Sequence, residues 1–450
     1  MHIVIIGNGI SGITAARYVR KLSDHKITVI SAETKHFFSR TALMYIYMGH
    51  MTYENTKPYE DWFWKKNRID LLQEYVTKVD TGSKEVLLQN GTAVSYDKLI
   101  LATGSASNKF GWKGQDLPQV QGLYNMQDLV KMEKNTNNIQ HAVIVGGGLI
   151  GIEMVEMLQS RRIPVSFLVR EKSFWNAVFP SEESEMINRH IRKHHVDLQL
   201  STELDEILAD EKGNVRAITT KNGKEIPCQF VGLTVGVHPN IGFLKESGIE
   251  TQKGILVDEY LQTNLPDVYA IGDCAQLRNP PAGRRPIEAV WYIGRMHGKT
   301  VAHTICKEKT LYQPRTWFNS AKFMDIEYQT YGTVLNTLRE GESQLYWEHS
   351  DGEKCIKIVY EEESKKVLGF NLLGVRFRHD VCEEWLNEGR DLRYVLEHLR
   401  AANFDPEMYD RHEDGIIEVY NQQHPQNPIV VKSKKSLWNM IFKRKVLVQN

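Results

Sequence analysis

Five cysteines in 450 residues are few, and they are scattered: Cys228, Cys274, Cys306, Cys355 and Cys382. No two stand in a C-x-x-C or C-x4-C spacing, so neither a zinc site nor a local redox disulfide is indicated. Metal is therefore not expected. The odd, sparse count fits a reducing, cytoplasmic setting. Charge of one sign is also missing: 56 basic and 56 acidic residues leave a net charge of zero. Such a chain carries no global field to recruit nucleic acid. No apolar run approaches the roughly 18 residues that span a bilayer. Met1 runs directly into the apolar run His2-Ile3-Val4-Ile5-Ile6, leaving no room for a cleavable leader. The body of the protein is expected to be soluble. With 41% apolar and 25% charged residues it can bury large cores, and its length predicts two to four domains.

Glycine, in contrast, is placed with purpose. Gly7-Asn8-Gly9-Ile10-Ser11-Gly12 follows an apolar strand and leads into a helical pattern at Ile13, Ala16 and Val19. A second strand, Ile27–Ile30, ends just before Glu33. These are the parts of a dinucleotide-binding unit. Gly7 permits the tight turn, Gly9 lets a pyrophosphate approach the backbone, and Gly12 lets the helix pack close. The helix N-terminus offers free amides and partial positive charge to phosphates. Glu33 is placed to accept from a ribose hydroxyl.

The design recurs about 140 residues on. Gly146-Gly147-Gly148-Leu149-Ile150-Gly151 follows the strand Ala142–Val145, precedes a helix over 152–158, and is followed by a strand at 165–169. Gly146, Gly148 and Gly151 repeat the three glycine roles, and Glu171 stands two residues past its strand as Glu33 nearly does in the first copy. One such loop arises readily by chance; two complete units do not.

Two dinucleotide units in one chain resemble the two-dinucleotide-binding-domain flavoproteins of the pyridine nucleotide–disulfide oxidoreductase superfamily. Leu101-Ala102-Thr103-Gly104 is similar to the A-T-G motif of that family, and Val235-Gly236-Val237-His238-Pro239-Asn240 to its G-x-x-P-N turn. Asp258 to Thr263 resembles its D-x4-T strand. Val268-Tyr269-Ala270-Ile271-Gly272-Asp273 resembles its second FAD motif, whose aspartate accepts from the ribityl chain. The likeness is strong over 1–312 and loose over 313–420. It implies an α/β fold with two Rossmann-like domains, the second inserted in the first, and a C-terminal α+β domain of interface type. The expected borders are 1–112 with 245–312 for FAD, 113–244 for NAD(P)H, 313–423 for the third domain and 424–450 for a tail.

For the sites, the resemblance implies FAD against Gly7, Gly9, Gly12, Glu33, Arg40, Ala102, Thr103, Gly104, Asp273 and Trp291. It places NADH or NADPH against Gly146, Gly148, Ile150, Gly151, Glu153, Glu171 and Gly236. Glu153 holds the position of a helix residue facing nicotinamide and flavin, where it would orient a carboxamide or a lysine; a solvated helix glutamate is the alternative. Glu153, Tyr45 and Trp291 are the catalytic candidates. Glu171 favours NADH, because an acid repels a 2′-phosphate by on the order of 1 to 4 kcal/mol at about 4 Å. Arg170 and Lys172 flank it and leave NADPH open.

Subclass follows from what the motif segments omit. His36-Phe37-Phe38-Ser39-Arg40-Thr41-Ala42-Leu43-Met44-Tyr45 lies where disulfide reductases carry their cysteine pair, and it contains no sulfur nucleophile. Arg40 stands where the peroxide- and oxygen-reducing branch has its single cysteine. Asn403-Phe404-Asp405-Pro406 matches the family's C-terminal His-Pro stretch without the histidine. This branch is therefore not a disulfide reductase. The aromatic-Ser-Arg segment is similar to that of rubredoxin, ferredoxin and nitrite reductase flavoproteins, with Tyr45 near the lysine of their R-P-P-L-S-K run. Arg40 is open between FAD phosphates, a substrate carboxylate and the bare surface. Trp291 and Tyr292 either stack near and gate the flavin or fill the core.

The leading expectation is hydride transfer from NAD(P)H to flavin and onward passage of electrons to a rubredoxin- or ferredoxin-like carrier. A peripheral NADH:quinone reductase and a redox-sensing flavoprotein acting through dimerisation are the alternatives. A homodimer is expected through the third domain. Trp62-Phe63-Trp64 reads as helix packing against the FAD domain, with a partner surface as the alternative. The tail holds Lys432, Lys434, Lys435, Lys443, Arg444 and Lys445 and no acid; Leu437, Trp438, Ile441 and Phe442 would share one helical face. It suits an anionic surface at the inner membrane face, an acidic carrier, or packing back on the dimer.

Overall fold

The computed structural model describes residues 1–405 and 407–430. The tail expectation on 431–450, and Pro406 of the C-terminal motif, lie outside the described residues. Two compact units result, Met1–Arg315 and a second that starts at Thr316.

In the first unit, runs such as Ile3-Val4-Ile5 and Ile27–Ile30 are buried on both faces, which suits a parallel sheet covered by helices on either side. A five-stranded parallel sheet forms in the order Val268–Ala270, Lys98–Leu101, His2–Ile6, Lys26–Ser31, Ile69–Gln73. The helix Ile10–Leu22 makes the crossover between its strands His2–Ile6 and Lys26–Ser31. A second five-stranded parallel sheet has the order Asp197–Gln199, Val165–Leu168, Ala142–Val145, Phe230–Leu233, Val120–Gln121. Its first crossover is the helix Leu149–Ser160. All strands of the second sheet fall between Lys98–Leu101 and Val268–Ala270 in sequence, yet these two pair in register, Val268 opposite Leu99. The second dinucleotide-type fold is inserted in the first. The helix Asp61–Lys66 buries Trp64 in the core under the first sheet, while Trp62 is 60% exposed.

One expected strand is a turn. The strand of that region is Ile255–Val257, and Asp258 ends it: its Oδ1 accepts from the backbone N–H of Tyr260 and of Gln262, both at 2.9 Å, and Leu261 takes a left-handed φ of 64°. Aspartate closing such a turn on its own backbone outcompetes the strand.

The second unit is α+β. An antiparallel sheet runs Phe318–Phe323, Ile326–Gly332, Val367–Leu373, Cys355–Glu361, Glu342–Glu348. Ile358, Phe370 and Leu372 from the sheet pack with Trp385, Val395 and Ile416 from the helices His379–Glu388, Leu392–Ala402 and Glu413–Gln423. The helix Glu413–Gln423 carries Gly415, a poor helix former, in its first turn. Packing explains that glycine: a Cβ there would sit 2.4 Å from Trp347 Nε1. No helix among the described residues is long and apolar enough to cross a membrane.

Candidate functional site

The first glycine loop is built by close approach. A Cβ on Gly7 (φ 111°) would meet Ala102 O at 2.1 Å, and one on Gly12 would meet Gly7 O at 2.0 Å. Only glycine lets strand, loop and helix come this near. Gly9 has nothing within 4 Å of such a Cβ, so its backbone is open to a ligand. The second loop repeats the arrangement: Gly146 abuts Thr234 O, Gly151 abuts Gly146 O, and Gly148 is open.

Beside the first loop lies a cavity of about 740 Å³. Gly7, Gly9, Glu33, Arg40, Ala102, Thr103, Gly104, Asp273 and Trp291 line it, and the inserted fold adds Ile150, Glu153 and Asn240. Gly12, Gly146, Gly148, Gly151, Glu171 and Gly236 are not among the lining residues. For Gly12 and Gly151 the reason is their packing role between loop and helix. The A-T-G junction is tied to the G-x-x-P-N turn: the Thr103 hydroxyl donates to Asn240 O at 2.7 Å, and Asn240 N–H donates to Gly104 O at 2.9 Å.

Glu33 is not a free acid waiting for a ribose. Arg40 grips it with two bonds, Nη1 to Oε1 at 2.9 Å and Nη2 to Oε2 at 2.5 Å, and the Met126 N–H adds a third to Oε1 at 2.9 Å. A carboxylate has about four lone-pair sites, so Oε2 keeps one for a hydroxyl. Arg40 also donates to Tyr124 O at 2.7 Å and lies 4.7 Å from the Tyr124 ring centroid. Burial works to lower its pKa, but Glu33 more than offsets this and the guanidinium is held charged. The bare-surface reading of Arg40 is thereby corrected: it forms part of the cavity wall, because Glu33 and Tyr124 hold it there.

Asp273 sits at the far side with its pKa raised, by burial above all. The Ser105 hydroxyl donates to Oδ2 at 3.3 Å and the Tyr124 hydroxyl at 3.4 Å. Tyr124 in turn accepts from the Ser105 N–H at 2.8 Å, and burial together with Asp273 pushes its phenol up to about 12. Tyr124 thus joins the Glu33–Arg40 pair to Asp273, and sequence reasoning missed it. It immediately precedes Asn125, the N-cap of the helix Met126–Asn135, where an aromatic reads as an apolar residue fixing the chain's approach to the helix.

Glu153, on the second-loop helix, faces the cavity. Burial, with Glu156 adding like charge, raises its pKa to about 7. The solvated-glutamate reading is corrected accordingly. Trp291 and Tyr292 open the helix Trp291–Cys306, and both are 37% exposed, so neither fills the core. Trp291 lines the cavity and meets Tyr292 edge-on at 5.3 Å. Tyr45 is not brought to the cavity. On the short helix Leu43–Tyr47 its neighbours Leu43 and Met44 face the space, and Tyr45 stacks on His50 at 6.1 Å. Glu171 is partly exposed and paired with Arg170 at 2.9 Å. No cysteine lines the cavity; Cys228, Cys274, Cys355 and Cys382 are buried elsewhere and Cys306 is half-buried.

The donor set suits an extended dinucleotide: an open glycine backbone for phosphates, a carboxylate with a spare lone pair at one end, and a buried aspartate at the other.

The chain is similar to known proteins. The family described as pyridine nucleotide-disulphide oxidoreductase matches residues 1–298. A nitrite reductase [NAD(P)H] of Bacillus subtilis is 29% identical over 281 residues, which cover 62% of this chain and 34% of that protein. A rubredoxin-NAD(+) reductase of Ectopseudomonas oleovorans is 26% identical over 322 residues, covering 70% of this chain and 83% of the other. The chain thus spans about a third of the first relative's length. In fold it is similar to a NAD-dependent persulfide reductase of A. fulgidus, with a TM-score of 0.81, 23% identity, and coverage of 95% of this chain and 83% of that one.

Proposed function

Because the chain belongs to the pyridine nucleotide-disulphide oxidoreductase family, we propose that it is an FAD-dependent NAD(P)H oxidoreductase that passes electrons to a rubredoxin- or ferredoxin-like carrier protein without a redox disulfide. One observation carries the reading. A single cavity takes Gly9 and Asp273 from one dinucleotide fold and Ile150 and Glu153 from the other, so a flavin held by the first fold would meet a nicotinamide held by the second. The bound pair supplies the chemistry, a hydride moving from nicotinamide C4 to flavin N5.

The chain's own residues bind and orient. Gly9 and Gly148 leave room for phosphates at the two helix N-termini. Glu33 offers its spare lone pair to a ribose hydroxyl, and Arg40 beside it supplies positive charge toward the phosphates. Asp273, fixed by Ser105 and Tyr124, accepts from the ribityl chain. Glu153, whose pKa burial raises, orients the carboxamide. Trp291 lines the cavity and is partly exposed, where it can stack near the flavin. Glu171 favours NADH over NADPH, and its pairing with Arg170 withdraws that cation from a 2′-phosphate. No cysteine lines the cavity, so no thiol of this chain relays the electrons.

We take 1–112 with 245–312 as the FAD domain, 113–244 as the NAD(P)H domain, and 313–423 as a domain through which two copies associate. We take the protein to work in the cytoplasm. The test is rapid-mixing reduction of the flavin by NADH and by NADPH, followed by a panel of rubredoxin, ferredoxin, quinone and oxygen. Faster bleaching by NADH and reoxidation by an iron–sulfur carrier are expected. Protein that stays colourless after incubation with FAD overturns the reading.

A further inference from the structure

His297 lies on the helix Trp291–Cys306, is only 4% exposed, and has no place in the chemistry described so far. Its Nδ1 accepts the backbone N–H of Gly272 at 3.2 Å. A ring nitrogen that accepts carries no proton, so the hydrogen of the neutral ring is on Nε2. That Nε2 is buried with no hydrogen-bond partner. The ring stands edge-on to Tyr312 at 4.4 Å, whose hydroxyl is also buried and unpaired. An imidazole that leaves an N–H unsatisfied in a dry core is a net cost, and an apolar side chain of similar size would avoid it. The acceptor it provides is what the site gains.

What that acceptor holds is the turn carrying Asp273. Gly272 has a φ of 73°, and a Cβ there would meet Ser11 Oγ at 2.3 Å. Ser11 belongs to the first glycine loop, and a Cβ on Gly294 of the helix Trp291–Cys306 would meet the same oxygen at 2.5 Å. Ile271 N–H is tied to Leu101 O at 2.9 Å, so the next residue, Gly272, is the last one anchored before Asp273 enters the cavity. The helix bearing His297 begins with Trp291 on the cavity wall. One hydrogen bond thus ties the helix that begins at Trp291 to the turn that carries Asp273.

We propose that His297 is a positioning residue of the flavin site: as a neutral acceptor it locks Gly272 and thereby sets where Asp273 and the start of the helix Trp291–Cys306 stand around the bound cofactor. Burial, with Arg284 adding to it, lowers its pKa to about 3, which keeps the acceptor available across the working range of pH. The inference rests on the reading of the cavity as the FAD site.

The test compares full-length wild type, H297L and H297Q by FAD dissociation constant, visible circular dichroism of the bound flavin, and apoprotein melting temperature. Glutamine keeps an acceptor oxygen; leucine does not. Loss of one buried acceptor is expected to weaken FAD about tenfold in H297L and to change the flavin dichroism. H297Q is expected to bind within about threefold of wild type with native dichroism. H297L that binds FAD as tightly as wild type with an unaltered spectrum, even at a lowered melting temperature, overturns the proposal. So does H297Q that binds tenfold more weakly than wild type, a result that decides the matter if H297L does not fold. Wild type that fails to bind FAD overturns the underlying reading instead.

Discussion

Glu153 is the ionisable group on the cavity wall whose charge the fold changes across neutral pH. Its pKa, raised to about 7 by burial and by Glu156, means that the folded state holds a proton the unfolded chain has released above its ordinary value of about 4.3. Between these two values folding binds a proton, so stability contributed by this group is present below the lower value and falls as pH rises through 7. E153Q is therefore expected to raise the melting temperature of the apoprotein at pH 8 and to leave it little changed at pH 4. A variant equally stabilised at both, measured by thermal denaturation, would show that charge is not the cause. The Glu33–Arg40 pair behaves oppositely: its charges are already matched. R40M leaves a shielded carboxylate with one backbone donor, and a loss of roughly 1–3 kcal/mol in unfolding free energy is expected. E33Q/R40M should recover part of that loss in denaturant titrations, because no unmatched charge remains. These residues were legible in sequence as candidates by position. Their pairing was not, because Tyr124 and Met126, which hold it, come from a segment some ninety residues away.

At the scale of the element, the glycine loops separate two demands that a motif merges. Gly12 is a packing position and Gly9 a ligand position, since a Cβ is obstructed at 2.0 Å in one and meets nothing in the other. G12A is expected to destabilise the apoprotein by about 1–3 kcal/mol, as other overpacked contacts do. G9A should melt like wild type without cofactor yet bind FAD at least tenfold more weakly, because its methyl occupies space reserved for phosphate. Equal melting temperatures for both apoproteins would refute the distinction. Strand–loop–helix order is readable because a parallel, doubly covered strand needs a continuous apolar run and a crossover helix needs its 3.6-residue stripe. The strand expected over 258–263 is a turn because the Asp258 carboxylate accepts from the backbone N–H groups of Tyr260 and Gln262, a local satisfaction that outcompetes strand pairing.

For the whole molecule, the cavity forms only because the chain leaves the first sheet after Leu101, builds the second, and returns at Val268 to pair with Leu99. With no cysteine on the cavity wall and four of five buried, alkylation of the folded holoprotein with iodoacetamide should leave flavin bleaching by NADH unchanged. A large loss of bleaching rate on alkylation would return thiol chemistry to the site. The two glycine repeats, the strands beside them and the missing cysteine pair are short-range patterns, and short-range sterics and periodicity were enough to establish the α/β class, the doubled nucleotide fold and the branch. Which acid stays charged, which arginine is captive, that Tyr124 and His297 matter and that Tyr45 turns away depend on burial and on partners distant in sequence. Desolvation and hydrogen-bond geometry act only once the chain has closed on itself, so those choices belong to the tertiary structure.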